Sequence, residues 1–340
     1  MIDYGKLGNA YEKESFYSLQ LEVGDRCEQG CIYCYMNALE NETNTLSDSQ
    51  IRKTLEDAAR LGITAIEWLG GEPLLRESIF EHMDFASSLG LRNNMWTGGL
   101  PLADEKIRRN TAELTGHGLI AVHVSTVYPE KYKQLHPERP SGDLYIILDS
   151  IHKTLDLGYP PDQMLNSATF TGLQSAEDMV KTIDYFEQHF GIKTSLNVYH
   201  SYLRPGTPPG ELDRFVPSLE EVKKVYARYS RQWGDDLPMN CVNKQYCSAT
   251  LAVLCDGCVT PCATIREKDA PSIHRHGSLY RIAMQNKHHL VFKRFRQEEN
   301  LPPECRKCDI TDQCFGCRSR SYAAGRGIYG MDPMCFRNKP

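Results

Sequence analysis

The stretch Cys27-Glu28-Gln29-Gly30-Cys31-Ile32-Tyr33-Cys34 follows directly on a short apolar run at residues 16–23. Three thiols in one short loop can turn their sulfurs to one side and wrap a single metal centre. A cubane [4Fe–4S] cluster has four irons and usually takes four cysteines. Three local ligands therefore leave one iron open to a substrate or cofactor. The alternative is a zinc site completed by a distant fourth ligand such as a histidine.

Outward from this loop the chain alternates short apolar runs with amphipathic segments. The runs at 16–23, 65–69, 94–97, 119–125, 164–170 and 194–199 predict strands, because they are brief, partly β-branched or aromatic, and bounded by Gly, Asn or Ser. The segments 47–61, 77–89, 102–115, 142–157, 175–190 and 218–233 predict helices. Ser47 with Gln50 reads as a capping box, and Gly62, Gly90, Gly158 and Gly191 read as helix stops. Ile146, Ile147, Ile151 and Leu155 recur at helical spacing and predict a core face. Six strand–helix repeats argue for a parallel sheet with right-handed crossovers, which is shorter than a full eight-fold barrel. The expected fold is therefore α/β, a partial (β/α)6 TIM barrel with ligands at the C-terminal ends of its strands. The domain reading is an N-terminal extension at 1–15, the barrel at 16–215, a linker helix region at 216–240 and a Cys-rich domain at 241–340. The Pro-rich stretch 204–210 reads as a boundary loop.

One βα unit past the cysteine loop stands Leu69-Gly70-Gly71-Glu72-Pro73-Leu74, at the C-terminal end of the second predicted strand. Two glycines permit close backbone approach, and Glu72 can accept from an ammonium group. The C-x3-C-x2-C loop, the aromatic Tyr33 before its third cysteine and the Gly-Gly-Glu-Pro segment together resemble the radical S-adenosylmethionine (radical SAM) superfamily. That resemblance implies a cluster on Cys27, Cys31 and Cys34 whose open iron chelates the methionine amino and carboxylate groups of S-adenosylmethionine (SAM). It implies Tyr33 against the adenine, and Gly70, Gly71 and Glu72, with Pro73 completing the motif, at the methionine amino group. Ser125 and Arg139 fall where the family often places polar contacts near the ribose or carboxylate; a strand cap and a surface ion pair are their structural alternatives. The implied reaction is reductive cleavage of SAM to methionine and a 5′-deoxyadenosyl radical, which abstracts a hydrogen atom. The cofactor carries the hard chemistry and the protein supplies position and exclusion of solvent.

The other ten of 13 cysteines lie between Cys241 and Cys335, and none lies between Cys34 and Cys241. Cys241-x5-Cys247-x14-Cys262 is followed by Cys305-x2-Cys308-x5-Cys314-x2-Cys317-x17-Cys335. Zinc ribbons are one reading of such spacing. Behind the first motif, the pattern with Gly257 ahead of Cys262 resembles the SPASM extension, a small Cys-rich domain with two auxiliary [4Fe–4S] clusters. One residue is missing between Cys314 and Cys317 relative to that pattern. The resemblance implies one auxiliary cluster on Cys241, Cys247, Cys262 and Cys317, and another on Cys305, Cys308, Cys314 and Cys335. Cys255 and Cys258 are then surplus. They are either small buried hydrophobes, or one of them is a hydrogen-atom donor or alternate ligand.

Composition sets the remaining bounds. The 340 residues carry 39 Lys+Arg against 44 Asp+Glu, a formal net charge of −5. That balance offers no global footprint for nucleic acid or an anionic membrane. An odd cysteine count with no exported-type start favours metal ligation over disulfides and a cytoplasmic setting. His288-His289 reads as solvated surface.

The resemblance implies peptide or protein modification as the leading substrate class: cross-linking, oxidation or epimerisation. Oxidation, decarboxylation or dehydrogenation of a small molecule (a tetrapyrrole side chain, sugar or cyclitol) is the alternative, and a non-catalytic iron–sulfur or zinc module is a further one. Ala263 stands where formylglycine-forming members carry an Asp base, which argues against that outcome. The expected partners are an electron donor such as flavodoxin or ferredoxin and, since the first cluster motif begins at Cys27, a separate peptide-recognition protein or the barrel itself for any leader peptide.

Overall fold

The computed structural model describes residues 3–38, 42–200, 208, 210–234, 242–267, 269–286 and 298–337. Most of the Pro-rich stretch 204–210, Cys241 and His288-His289 lie outside the described residues.

After helix α1 (Tyr4–Glu12) the chain alternates β1 (Ser18–Glu22), α2 (Asp48–Arg60), β2 (Ala65–Leu69), α3 (Ile79–Ser88), β3 (Arg92–Thr97) and α4 (Glu105–Leu114). It continues through β4 (Leu119–Val122), α5 (Pro129–Leu135), α6 (Asp143–Asp156), β5 (Met164–Phe170), α7 (Ala176–Phe190), β6 (Lys193–Val198) and α8 (Leu219–Trp233). Strands β1 to β6 are parallel and neighbour one another in chain order. This is the partial (β/α)6 barrel that strict alternation predicts.

The local signals act as read. Ser47 and Gln50 form both hydrogen bonds of a capping box at α2. Gly62, Gly90, Gly158 and Gly191 all take positive φ after their helices. Three expectations are corrected. The helix expected from residue 102 begins at Glu105, because Asp104 caps it by accepting from Ile107 N–H. The strand expected to end at Ser125 stops at Val122. Ile146 faces solvent on α6, while Ile147 and Ile151 are buried.

The Cys-rich part also extends the sheet. After the short helix α9 (Lys244–Ser248), β7 (Thr250–Val253) pairs parallel to β1, and β8 (Val259–Thr260) pairs antiparallel to β7.

Strand alternation separates two faces. Leu19 and Leu21, Ile66 and Trp68, and Ile120 and Val122 join one apolar cluster with the helices. The opposite phase of the first strands is polar: Ser18, Gln20 and Glu22, then Glu67, then Asn94 and Trp96. Glu67 accepts from Ser18 Oγ at 3.0 Å, Asn94 Nδ2 at 2.7 Å, Trp96 Nε1 at 2.7 Å and Tyr246 Oη at 2.5 Å. These donors satisfy a buried carboxylate and tie α9 to the barrel interior.

Candidate functional site

The site is built at the C-terminal ends of the strands. Gly71 N–H donates to the Gly24 carbonyl at 2.9 Å, and Glu72 N–H to the Arg26 carbonyl at 2.7 Å. A Cβ on Gly71 would lie 2.1 Å from the Arg26 carbonyl oxygen, and one on Gly70, at φ +136°, 2.4 Å from that of Gly24. The two glycines therefore let the second strand's exit pair with the backbone that leads into Cys27.

Glu72 is buried, accepting from Leu74 N–H at 3.1 Å, Thr97 Oγ at 2.8 Å and Gly98 N–H at 2.6 Å. Burial, and then the neighbouring Glu28, push its carboxyl well above the usual range. Both Glu28 carboxylate oxygens are buried without a hydrogen-bond partner. Burial and neighbouring thiols push Cys27 and Cys31 far up as well. Any metal that loads here must displace protons from them.

Side chains of the loop lock it to the strand ends. Gln29 Nε2 donates to the Gly98 carbonyl at 3.0 Å and its Oε1 accepts from Tyr132 Oη at 3.2 Å. Tyr33 Oη stands 2.7 Å from His123 Nε2, 3.2 Å from Ser125 Oγ and 3.5 Å from His136 Nε2. His136 Nδ1 stands 3.0 Å from the Tyr132 carbonyl, which can only accept. That assigns the proton of a neutral ring to Nδ1 and leaves Nε2 as an acceptor facing Tyr33. Desolvation lowers His123 to about 4 and His136 to about 3, so both rings are neutral. Tyr33 and Ser125 are thus brought together. Arg139 is instead paired with Asp143 at 2.6 Å.

A second cluster lies on the same polar face. Glu22, fully buried, accepts from Tyr35 Oη at 3.0 Å, Cys255 N–H at 3.1 Å and Arg266 Nη2 at 2.6 Å. Cys255 packs in one cluster with Cys27, Met36 and Ala38, with Cys34 and Tyr35 against it. Cys258 packs beside Ala252, Leu254 and Ala263, in a cluster that Tyr35 and Leu69 also join. Cys255 thus packs with the first cysteine loop itself, and Tyr35, next to Cys34, joins both clusters.

All described cysteines are free thiols. Cys305, Cys308, Cys314 and Cys335 line one pocket, joined by Ile310, Gly316 and Met331. Cys247 and Cys262 pack against an apolar cluster of Ile265, Leu301 and Phe315 that Cys305 of that pocket also joins. Cys262 also lies within electrostatic reach of Cys317. Among the described residues no three His, Cys, Asp or Glu side chains converge tightly enough to chelate a single ion.

His123, His136, Gln29, Tyr132, Glu22 and Arg266 are site residues that the motifs did not name. Part of the signal was present. Leu119, Ala121, His123 and Ser125 share one phase of a strand pattern, as do Ser18, Gln20 and Glu22.

Comparison with known proteins agrees with this geometry. The family model of the radical SAM superfamily matches residues 21–186. A probable GTP 3′,8-cyclase of Methanosarcina mazei is 24% identical over 269 residues, covering 73% of this chain and 78% of that protein. The crystal structure of Streptococcus suis SuiB bound to its precursor peptide SuiA shares the fold at TM-score 0.66 and 14% identity, over 98% of this chain and 79% of that one. Native anSMEcpe with bound AdoMet and Cp18Cys peptide shares it at TM-score 0.65 and 16% identity, over 95% and 92%. No described helix is long and apolar enough to cross a membrane.

Proposed function

The chain belongs to the radical SAM superfamily through residues 21–186, and from that premise we propose that it cleaves S-adenosylmethionine reductively and abstracts a hydrogen atom from a peptide or protein substrate. The Cys-rich C-terminal part fits a SPASM domain. The donor chemistry suits iron–sulfur clusters: the described cysteines are free thiols, and Cys305, Cys308, Cys314 and Cys335 line one pocket.

Cys27, Cys31 and Cys34 would hold the first cluster. Cys241, Cys247, Cys262 and Cys317 would hold one auxiliary cluster, and Cys305, Cys308, Cys314 and Cys335 the other. When bound, a cluster with one open iron supplies the electron that breaks the SAM sulfonium bond to C5′. The residues of this chain position and enclose. Gly70 and Gly71 fix the entry to the cysteine loop through Gly24 and Arg26. Glu72 and Glu28 present neighbouring carboxylates, the Glu28 oxygens buried without a hydrogen-bond partner, to the methionine ammonium. Tyr33, pinned by His123, Ser125 and His136, offers its ring to the adenine. Arg139, through its pair with Asp143, holds positive charge near Glu28. Of the two surplus thiols, either of which would return a hydrogen atom or ligate, Cys255 is favoured by its packing with Cys27.

The observation that carries the peptide reading is the likeness to peptide-bound SuiB over 98% of this chain, including the thiol-rich part. The match to a probable GTP 3′,8-cyclase over 269 residues favours a second reading, a nucleoside triphosphate substrate. The two separate by isotope transfer. Peptides deuterated at side-chain and α positions, and deuterated GTP, are each incubated anaerobically with enzyme, SAM and dithionite. Deuterium in 5′-deoxyadenosine from the peptide supports the first reading. Deuterium from GTP alone overturns it.

A further inference from the structure

Strand β1 lies inside the sheet, between β2 and β7, and its residues Leu19 and Leu21 pack into the apolar cluster on one side. Gln20, at its middle, points to the opposite, polar face with Ser18 and Glu22. Across the sheet it stands beside Glu67 on β2 and Ala252 on β7. Ser18 and Glu22 are buried, whereas Gln20 is partly exposed. Paired strands cover both its edges and the apolar cluster covers the far side, so Gln20 opens into the barrel interior.

Ala263 N–H donates to one end of the Gln20 amide at 2.9 Å. An N–H can meet only an acceptor, so that end is Oε1 and the nitrogen is turned away from it. Among the described residues Nε2 has no hydrogen-bond partner, and it is accessible. The charged groups beside it are already engaged: Glu67 takes four donors and Glu22 takes Arg266. This part of the interior therefore offers neutral N–H donors fixed in direction. Such donors match a carbonyl oxygen and offer nothing to an ammonium group, which is itself a donor. A triphosphate placed here would face the Glu67 carboxylate, with Arg266 already paired.

We propose that Gln20 is a substrate-binding residue: its amide Nε2 donates to a main-chain carbonyl oxygen of the peptide held in the barrel interior. The inference rests on the peptide reading of the substrate. A peptide segment drawn into the barrel loses water from its carbonyls, and a buried carbonyl without a donor costs free energy. The bond from Ala263 holds the amide before substrate arrives, so little side-chain freedom remains to be lost on binding. Ala263 directly follows Cys262, and β1 leads through Glu22 to Cys27, so this donor joins the two cysteine regions.

The test uses the full reconstituted chain with SAM and dithionite under anaerobic conditions. The probe is a pool of tryptic peptides from cells grown in deuterium oxide, and the rate at which deuterium enters 5′-deoxyadenosine is followed as the pool concentration rises. Gln20→Glu, assayed at pH 8, keeps an acceptor for Ala263 N–H and loses both donors. Gln20→Met loses acceptor and donors together. Both variants are expected to raise the half-saturating pool concentration about tenfold, with a smaller change in maximal rate. Iron per chain shows that each is folded and loaded, and Gln20→Glu decides alone where Gln20→Met loads poorly. Half-saturation at the parent's value in Gln20→Glu, with or without a rise in Gln20→Met, overturns the proposal, because the side chain then serves only the Ala263 backbone. A parent enzyme that releases 5′-deoxyadenosine but takes no deuterium from the pool overturns the peptide reading itself.

Discussion

Tyr33 Oη lies 2.7 Å from His123 Nε2, joining the loop between Cys31 and Cys34 to the end of β4. Tyr33 is buried and His123 half-buried, and each ring that faces the hydroxyl is neutral. Removing the hydroxyl leaves the buried His136 Nε2 short of a partner, while Ser125 Oγ keeps Thr169 N–H at 3.0 Å and His123 Nε2 at 3.3 Å. Tyr33→Phe is therefore expected to cost about 1–3 kcal/mol of stability and to loosen the cysteine loop. Chemical denaturation and the iron bound per chain would measure the two effects.

The same network sets an acid limit. The folded-state values of His123 and His136, about 4 and about 3, lie below the ordinary value of 6.5. The unfolded chain therefore binds more protons, and stability is lost as pH falls below about 6.5. By pH 5 the loss is about 2 kcal/mol for each histidine. Denaturation midpoints from pH 8 to pH 5 should fall accordingly, and a His136→Gln variant should show a shallower fall.

Gly71→Ala cannot be accommodated beside the Arg26 carbonyl, 2.1 Å from the added carbon. The pairing of Glu72 N–H with Arg26 must break, displacing Cys27. Loss of iron binding at the first loop is expected, with a stability cost of about 2 kcal/mol or more. Gly8→Ala, where no atom lies within 4 Å in a helix, is the matched control and should be neutral or stabilising.

Glu22, fully buried, pairs at 2.6 Å with the partly buried Arg266 on the barrel's polar face. Arg266→Met strips the counter-charge from a fully buried carboxylate, with an expected cost of about 3–5 kcal/mol. Adding Glu22→Gln should recover a large part of it. A double-mutant cycle by urea unfolding checks both.

The surplus thiols separate by position. Cys255 packs with Cys27, and Cys258 does not. Cys258→Ala should leave product yield per 5′-deoxyadenosine unchanged, while Cys255→Ala lowers it. Mass spectrometry of product and nucleoside from one reaction gives that ratio.

Local rules explain why so much of the barrel could be read in advance. Ala65–Leu69 and Met164–Phe170 are strands bounded as their composition indicates, and Ser47 with Gln50 starts α2 by direct hydrogen bonds. The cysteine loop and Gly70-Gly71-Glu72 were visible because backbone pairing demands their spacing and their missing side chains. Long-range partners were not visible. Pairing of β7 with β1 joins residues more than two hundred positions apart, and no local pattern reports it. His123, His136 and Arg266 stand singly in the sequence and acquire a role through what folds against them. Ile146 shows the opposite error: its helical spacing suits a core, but the adjacent Ile147 holds the buried face of α6.

The central claim is that Cys27, Cys31 and Cys34 support reductive cleavage of S-adenosylmethionine. The direct measurement is anaerobic incubation of reconstituted enzyme with SAM and dithionite, with methionine and 5′-deoxyadenosine quantified by mass spectrometry. Equal amounts of both from the parent enzyme, and none above background from Cys34→Ala, are the predicted result. No 5′-deoxyadenosine from parent enzyme with its iron fully loaded, or the same amount from Cys34→Ala, would contradict it.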